Sequence, residues 1–335
     1  MSLAPPVAVP RGRINLMPLY VVLFCLLWSS GFVASKIGIA DCPPLLFLTI
    51  RFLIAGVLIL AISVLRRDQW NLSPRDIFAF VLIGIANNAL YVGLGYIGLQ
   101  TISSGLNALI VSVNPMFTAA LAAAFLGDQI TWRRVVGLPL GVAGVAWIVA
   151  DRVSAGSDSS VGIAFAIGAL VALVAGTMLF KVLSPKGSLW IGNGIQNLSG
   201  GLAVAPFAFM FSDFGHIVWS GRLFASLAWL ILLGSIAAFF LWFYLLTVLG
   251  ATAASAYHFL MPPLGMLFGW IVLGEHVAIS DLLGIVPVAL GIYLVTHPAG
   301  DRGATLKWGG SRESASHYLD RRRAQERAPQ DEDSL

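Results

Sequence analysis

The sequence predicts an all-α integral membrane protein of ten transmembrane helices, arranged as two inverted five-helix repeats. Three observations predict it. The 335 residues are 58% hydrophobic and 11% charged, whereas a soluble domain carries about 25% charged residues. The apolar residues fall into ten stretches, each near the ~20 residues that a helix needs to cross a hydrocarbon core ~30 Å thick. The chain also repeats itself. Residues 105–148 lie on 252–295 without gaps at an offset of 147, so that Pro115 meets Pro262 and Leu126-Gly127 meets Leu273-Gly274. Asp128 then meets Glu275, Gly137 meets Gly284 and Gly144 meets Gly291.

In chain order the stretches are 17–38, 44–65, 77–97, 102–125 and 131–150, then 161–183, 188–211, 223–247, 252–273 and 280–297. Polar punctuation separates them: RRDQWNLSPRD at 66–76, DRVSAGSDSS at 151–160, SDFGHIVWSGR at 212–222. They read as helices because an isolated strand leaves its backbone unsatisfied in lipid, and the runs are too long for barrel strands. Arg11 and Arg13 precede the first run, as in a signal peptide. That run continues to Lys36 with no small-x-small site after a short core, so it reads as a retained span. The chain thus divides into a cytoplasmic segment 1–16, a first five-helix repeat 17–150, a second repeat 161–297 and a disordered cytoplasmic tail 298–335. The tail mixes charges of both signs with few apolar groups.

Basic residues set the topology. Arg11, Arg13, Arg66, Arg67, Arg75, Arg133, Arg134, Lys186 and the seven basic residues of the tail fall on one side, against Arg152 and Arg222 on the other. The positive-inside rule places both termini in the cytoplasm, which requires an even number of spans. The basic balance therefore points to anionic lipid headgroups and not to nucleic acid. Cys25 and Cys42 lie 17 residues apart, ~25 Å along a helix, too far for a disulfide. Each repeat holds an odd number of spans, so the second enters the membrane in the opposite orientation. A pseudo-two-fold axis in the membrane plane then relates the halves. The first spans agree, since WSSGFVASK (28–36) parallels LVAGTMLFK (173–181), with Gly31 on Gly176 and Lys36 on Lys181.

These features resemble the drug/metabolite transporter superfamily, in its ten-helix EamA type. The residues that carry the resemblance are LLWSSGFVASK in the first span, Arg51 in LTIRFLIAG, the NPMFTAALAAAFLGD and MPPLGMLFGWIVLGE runs, and the paired glycines of the fifth and tenth spans. The resemblance covers residues 17–297 and rests on the order and repetition of these motifs. It implies a monomeric helical bundle around a central cavity, exporting small metabolites, often amino acids, or drugs.

Polar residues inside spans normally face the bundle interior, where they bind a solute or hold helices together. Asn87 and Asn88 sit at the centre of the third span, with Tyr91 one turn beyond Asn87. Asn107 and Asn114 lie seven apart on one face of the fourth, and Asn114 precedes Pro115, which frees a backbone carbonyl near Val111. In the ninth span Ser255, His258 and Pro262 share a face, with Tyr257 alongside. His258 titrates near neutrality. Trp28 lies too deep in the first span for an interfacial belt. Each is a candidate solute contact, with packing or an interhelical hydrogen bond as its structural counterpart. Arg51, Pro115, Pro262, Asp128 and Glu275 are candidates for gating or coupling. Arg51 and Lys36 are also long enough to reach the interface, and Asp128 and Glu275 are placed to anchor a helix turn.

No carboxylate lies near any span's centre. The small multidrug members of the resembled superfamily carry an essential glutamate in their first helix. Its absence here leaves proton coupling to His258, Asp128 or Glu275. No phosphate-cradling loop, catalytic triad or metal cluster is present, so no cofactor and no enzymatic activity are expected. The pattern points to a secondary transporter of the inner membrane that exports small organic solutes by alternating access, amino acids first among them. A drug or nucleobase-like solute is the alternative within transport. A passive channel and an enzyme of lipid-linked substrates are the rivals from other classes.

Overall fold

The computed structural model describes residues 16–126, 131–242, 244–245, 248 and 257–296. Every element among them is helical: α1 (Met17–Ile39), α2 (Pro44–Leu65), α3 (Pro74–Leu99), α4 (Ser104–Leu126), α5 (Trp132–Ser154), α6 (Ser160–Leu183), α7 (Leu189–Phe211), α8 (Gly221–Trp242), α9 (Met261–Leu273) and α10 (Ile279–Thr296). Seven of these, all but α7, α9 and α10, are long and apolar enough to cross a bilayer. In α7 the run IGNGIQNLSGG dilutes the apolar content.

Caps set the boundaries that periodicity misses. Ser73 accepts from the Asp76 N–H while the Asp76 carboxylate accepts from the Ser73 N–H, so α3 starts at Pro74, ahead of its apolar run. Ser103, Ser188 and Ser220 cap α4, α7 and α8 in the same way, each accepting an N–H three residues on. At its other end α5 runs to Ser154, past the expected 150, which brings Arg152 onto the helix. Gly274 closes α9 with φ +65°, a conformation that suits glycine.

Two helices carry a wider winding in the middle. Residues Ile85–Val92 of α3 and Trp229–Ala237 of α8 form π-helix, at matching positions of the two halves. One other is interrupted. In α4 the chain turns at Val113, and helix resumes over Asn114–Leu126. α9, over Met261–Leu273, follows directly on a 3₁₀ turn at Tyr257–Leu260. The pieces Asn114–Leu126 and Met261–Leu273 are each 13 residues long and have a proline in second place. They coincide at the offset of 147 read from the sequence.

Three pairs of equivalent helices, α2 with α7, α4 with α9 and α5 with α10, lie against each other and run antiparallel. Along α2 and α7, Gly56 meets Leu198 and Gly201 meets Leu53; along α4 and α9, Gly105 meets Met266 and Gly265 meets Ala108. The closest approach is α5 on α10. A Cβ on Gly137 would stand 2.8 Å from the Gly291 carbonyl oxygen, one on Gly291 2.6 Å from the Gly137 oxygen, and one on Gly144 2.9 Å from the Gly284 oxygen. Only glycine permits such backbone contact. Three apolar cores fill the bundle. One lies among α1, α2, α3, α7 and α8, one among α4, α5, α6, α9 and α10, and one between α1, α8 and the start of α9. Outward-facing Val57, Trp147, Val161, Leu202, Phe209 and Ile271 are exposed, as expected of a surface that faces lipid.

The connections gather at two ends. At one, the Val218 N–H donates to the Asp41 carbonyl (2.8 Å) and the Ser159 N–H to the Thr101 carbonyl (3.2 Å). At the other, the Lys186 N–H donates to Asp76 (2.8 Å) and Leu72 packs on Gly187.

Candidate functional site

The first of these ends is held by buried ion pairs. Arg152, in the last turn of α5, forks onto Asp281 of α10 (Nε–Oδ1 2.9 Å, Nη2–Oδ2 2.7 Å). Its Nη1 donates to Asp158 (2.8 Å) and to the Ser103 hydroxyl (3.0 Å), and Nη2 also reaches the His276 carbonyl (3.5 Å). Asp158 in turn accepts the Ser103 N–H at 2.6 Å. Beside this knot, Lys36 pairs with Glu275 (3.0 Å) and donates to the Ile102 carbonyl (2.6 Å). Lys36 therefore does not reach toward the headgroups. Glu275 receives the Ser104 N–H (2.7 Å), the Ser104 hydroxyl (2.8 Å) and the Gly105 N–H (3.3 Å), placing a carboxylate on the positive end of α4. Burial pushes its pKa up, but the Ser104 N–H, the Lys36 charge and the two side-chain bonds outweigh this and leave it below the ordinary value. Asp41 is held low by hydrogen bonds from Arg222 (Nε–Oδ2 2.6 Å) and Ser220.

Deeper in the bundle polar groups persist, but their partners run out. The two amides on the π segment of α3 diverge. Asn87 turns to α6, where only the missing side chain of Gly176 makes room for it, and Asn88 turns to α7 and packs on Gly200. Asn87 Oδ1 is buried with no hydrogen-bond partner among the described residues. Tyr91 lies near enough to Tyr96 and Arg51 to interact electrostatically with both. Arg51 turns inward and not to the interface. Its Nη1 donates to the Tyr96 hydroxyl, which lies 2.7 Å from Ser35 Oγ. Arg51 Nε is buried and unpartnered. Asn107, 4% exposed, rests its amide nitrogen over Gly95, and its Oδ1 also lacks a partner.

The turn at Val113 separates Asn107 from Asn114, so the two do not act from one continuous face. Asn114 Oδ1 instead accepts from Thr118 Oγ1 (3.2 Å), and the Val111 carbonyl, expected to be freed by Pro115, accepts the Val113 N–H at the turn. Pro115 starts the resumed helix, and buried Pro262 takes the same place in α9. Trp28 is half-buried in an aromatic cluster, 5.6 Å from Phe24 and 5.5 Å from Phe239 between ring centroids. Trp242 stacks on Phe24 at 5.4 Å and so belongs to that cluster. The backbone carbonyl of Tyr257 accepts from Cys25 Sγ (3.8 Å). Asp128, Ser255 and the side chain of His258 lie outside the described residues.

Sequence reasoning missed Tyr96, the Arg152–Asp158–Asp281 knot and the amides of α7. There Asn193 donates to the Ser235 carbonyl (3.1 Å) on the π segment of α8, and Asn197 donates back to Asn193 (3.0 Å). The available signal was polar residues within apolar runs: Tyr96 beside Gly95, and two asparagines four apart in IGNGIQN.

Comparison with known proteins places this geometry. The model of the EamA-like transporter family matches the chain twice, over residues 15–150 and 160–297. The chain is 30% identical over 295 residues to "Uncharacterized transporter YvbV" of Bacillus subtilis, covering 85% of this chain and 92% of that one. It is 27% identical over 288 residues to "Uncharacterized inner membrane transporter YedA" of Escherichia coli K12 (84% and 92% covered). It is also 26% identical over 298 residues to the "S-adenosylmethionine/S-adenosylhomocysteine transporter" of Chlamydia muridarum (85% and 93% covered).

Proposed function

The chain belongs to the EamA-like transporter family, and on that premise we propose that it is a secondary transporter exporting small organic solutes, amino acids or related metabolites, across the inner membrane by alternating access. It is a multi-pass membrane protein, and its relative YedA carries an inner-membrane name. In the arrangement we propose, ten crossing helices form two inverted five-helix repeats with both termini in the cytoplasm. The observation that carries this is the crosswise glycine contact of α5 and α10. Gly137 meets Gly291 and Gly144 meets Gly284, the pattern two equivalent segments make about a two-fold axis. Matching π segments and matching 13-residue helical pieces support it. Exchange of conformation between two such halves is how inverted repeats alternate access.

Asn87, Asn88, Tyr91, Asn107, Asn114, Trp28, Tyr257 and His258 are the proposed solute contacts. The unpartnered oxygens of Asn87 and Asn107 support this, because an unsatisfied buried acceptor is stabilised by a ligand that donates to it. Pro115 and Pro262 are proposed as hinges, and Asp128, Glu275 and His258 as groups through which protons couple. The S-adenosylmethionine name of one relative favours a second reading, a nucleoside-bearing solute.

Metabolite profiles of medium from deletion and overexpression strains identify the exported solute. Counterflow in proteoliposomes separates carrier from channel, since a channel shows none. Single cysteines at Asn71 and Ser311 are expected to be shielded from impermeant thiol reagent in intact cells, and one at Ser157 to label. Labelling at Asn71 from outside overturns the inverted arrangement.

A further inference from the structure

We propose that Arg51, hydrogen-bonded to Tyr96, is a carboxylate-recognising subsite, so that the solute handled by this chain presents a carboxylate. This rests on the transporter reading above and adds its chemical class. Arg51 lies seven residues into α2, about 10 Å by helical rise. A guanidinium offers five N–H donors in a planar fork. Here Nη1 serves a neutral phenol, Nε is buried without a partner, and among the described residues no carboxylate pairs with the group. The nearby cation on α1, Lys36, is already engaged by Glu275 and the Ile102 carbonyl. A half-buried arginine within a span and lacking a counter-charge marks a functional site more than a structural one.

The space beside it is shaped for an incoming group. Gly234, on the π segment of α8, leaves Nη2 uncovered. A Cβ there would stand 3.6 Å from Nη2, with Leu230 Cδ2 at 3.9 Å the other atom in contact. Gly234 itself belongs to the π segment of α8. Such segments occur preferentially at functional sites. A carboxylate accepts two parallel N–H bonds from a guanidinium and neutralises it with one charge. A phosphate dianion would call for a second free cation, and a neutral solute would leave the guanidinium charge uncompensated.

The test supplies the carboxylate from within and from solution, using the purified full-length chain. Gly234→Asp places a carboxylate beside Nη2. It is expected to raise the thermal midpoint in the otherwise natural chain and to lower it in an Arg51→Gln background. In the natural chain acetate is expected to raise the midpoint at concentrations at least tenfold below those needed with acetamide, at matched ionic strength. Arg51→Gln abolishes that difference, and Arg51→Lys retains part of it. The proposal is overturned if Gly234→Asp lowers the midpoint equally in both backgrounds while acetate and acetamide act alike, or if the acetate effect survives Arg51→Gln. Should Gly234→Asp fail to fold in either background, the acetate comparison decides alone. Counterflow is measured separately, so a failed subsite leaves the transporter reading standing, and the reverse.

Discussion

At the ion-paired end Arg152 commits every donor it has to Asp281, Asp158, Ser103 and a carbonyl. In the interior Arg51 has one phenol as hydrogen-bond acceptor and the Phe52 ring beneath its guanidinium (5.2 Å to the centroid), and no carboxylate among the described residues. The two residues are chemically identical, and both lie within helices of an apolar bundle. What differs is the supply of buried carboxylates. Asp158 and Asp281 enter on short links and helix ends, where a carboxylate is accommodated without crossing lipid, whereas no span carries one at its centre. A closed network of this kind sets geometry, because its removal strands charges. An open one leaves valence for something that comes and goes.

The largest test of the contrast is Arg152→Met. It strands Asp158 and Asp281, which are 8% and 1% exposed, and breaking a buried pair costs about 3–5 kcal/mol. Solubilised protein is expected to lose most of its monodisperse, folded fraction, and wild-type thermal stability would erase the distinction drawn here. Next comes Gly291→Ala in the seam of α5 and α10. The new methyl meets backbone at 2.6–2.9 Å from Gly137 and Gly141, and overpacking of this order costs about 1–3 kcal/mol. Gly144→Ala, its counterpart in the first half, is expected to lower the midpoint by a similar amount. Unequal effects would weaken the two-fold relation.

For the interior the expected signature is the opposite: normal abundance and impaired solute handling. Asn87→Leu and Tyr91→Phe each remove one hydrogen-bonding group, about 1 kcal/mol or roughly fivefold in half-saturating solute. Collapse of abundance, with transport per folded molecule unchanged, would reclassify them as structural. The smallest effect is on acid stability. Glu275 titrates below its ordinary value in the folded protein. Its contribution is therefore complete above the unfolded-state pKa and is lost as pH falls through the depressed folded-state one. Lys36→Met removes one cause of the depression and is expected to move that loss to higher pH in a melting series. An unmoved profile would assign the depression to the α4 terminus alone.

Much of the helical framework was legible because hydrophobic content alone dictates helices in lipid, and the offset of 147 located the paired glycines and prolines before any coordinates. The π segments were not legible. Winding one extra residue into a turn alters no propensity, and IANNALYV carries the same apolar pattern either way. Arg152 and Asp158 were read as loop punctuation, since charges at a span's edge look alike whether they meet water or each other. The inward turn of Arg51 was invisible for a related reason: a long stem reaches the interface or a phenol equally well, and Tyr96 decides only once α3 is folded beside α2. Asn107 and Asn114 share a face only if α4 is continuous, and the turn at Val113 breaks that condition.

Where Gly137 lies on Gly291 and Gly144 on Gly284, backbone meets backbone, and the side chains wedged beside these contacts, Val288, Val295 and Pro287, have little rotamer freedom to absorb a shift. A displacement there would drag one peptide plane across another and not over a compressible methyl group. α5 and α10 are therefore locked to each other at these contacts, although Pro139 and Pro287 each remove a ladder hydrogen bond within them, and the ladder of α4 is cut at Val113. Paired spin labels spanning Val113 are where a change of angle is to be read, with a pair across the α5–α10 seam beside it for comparison.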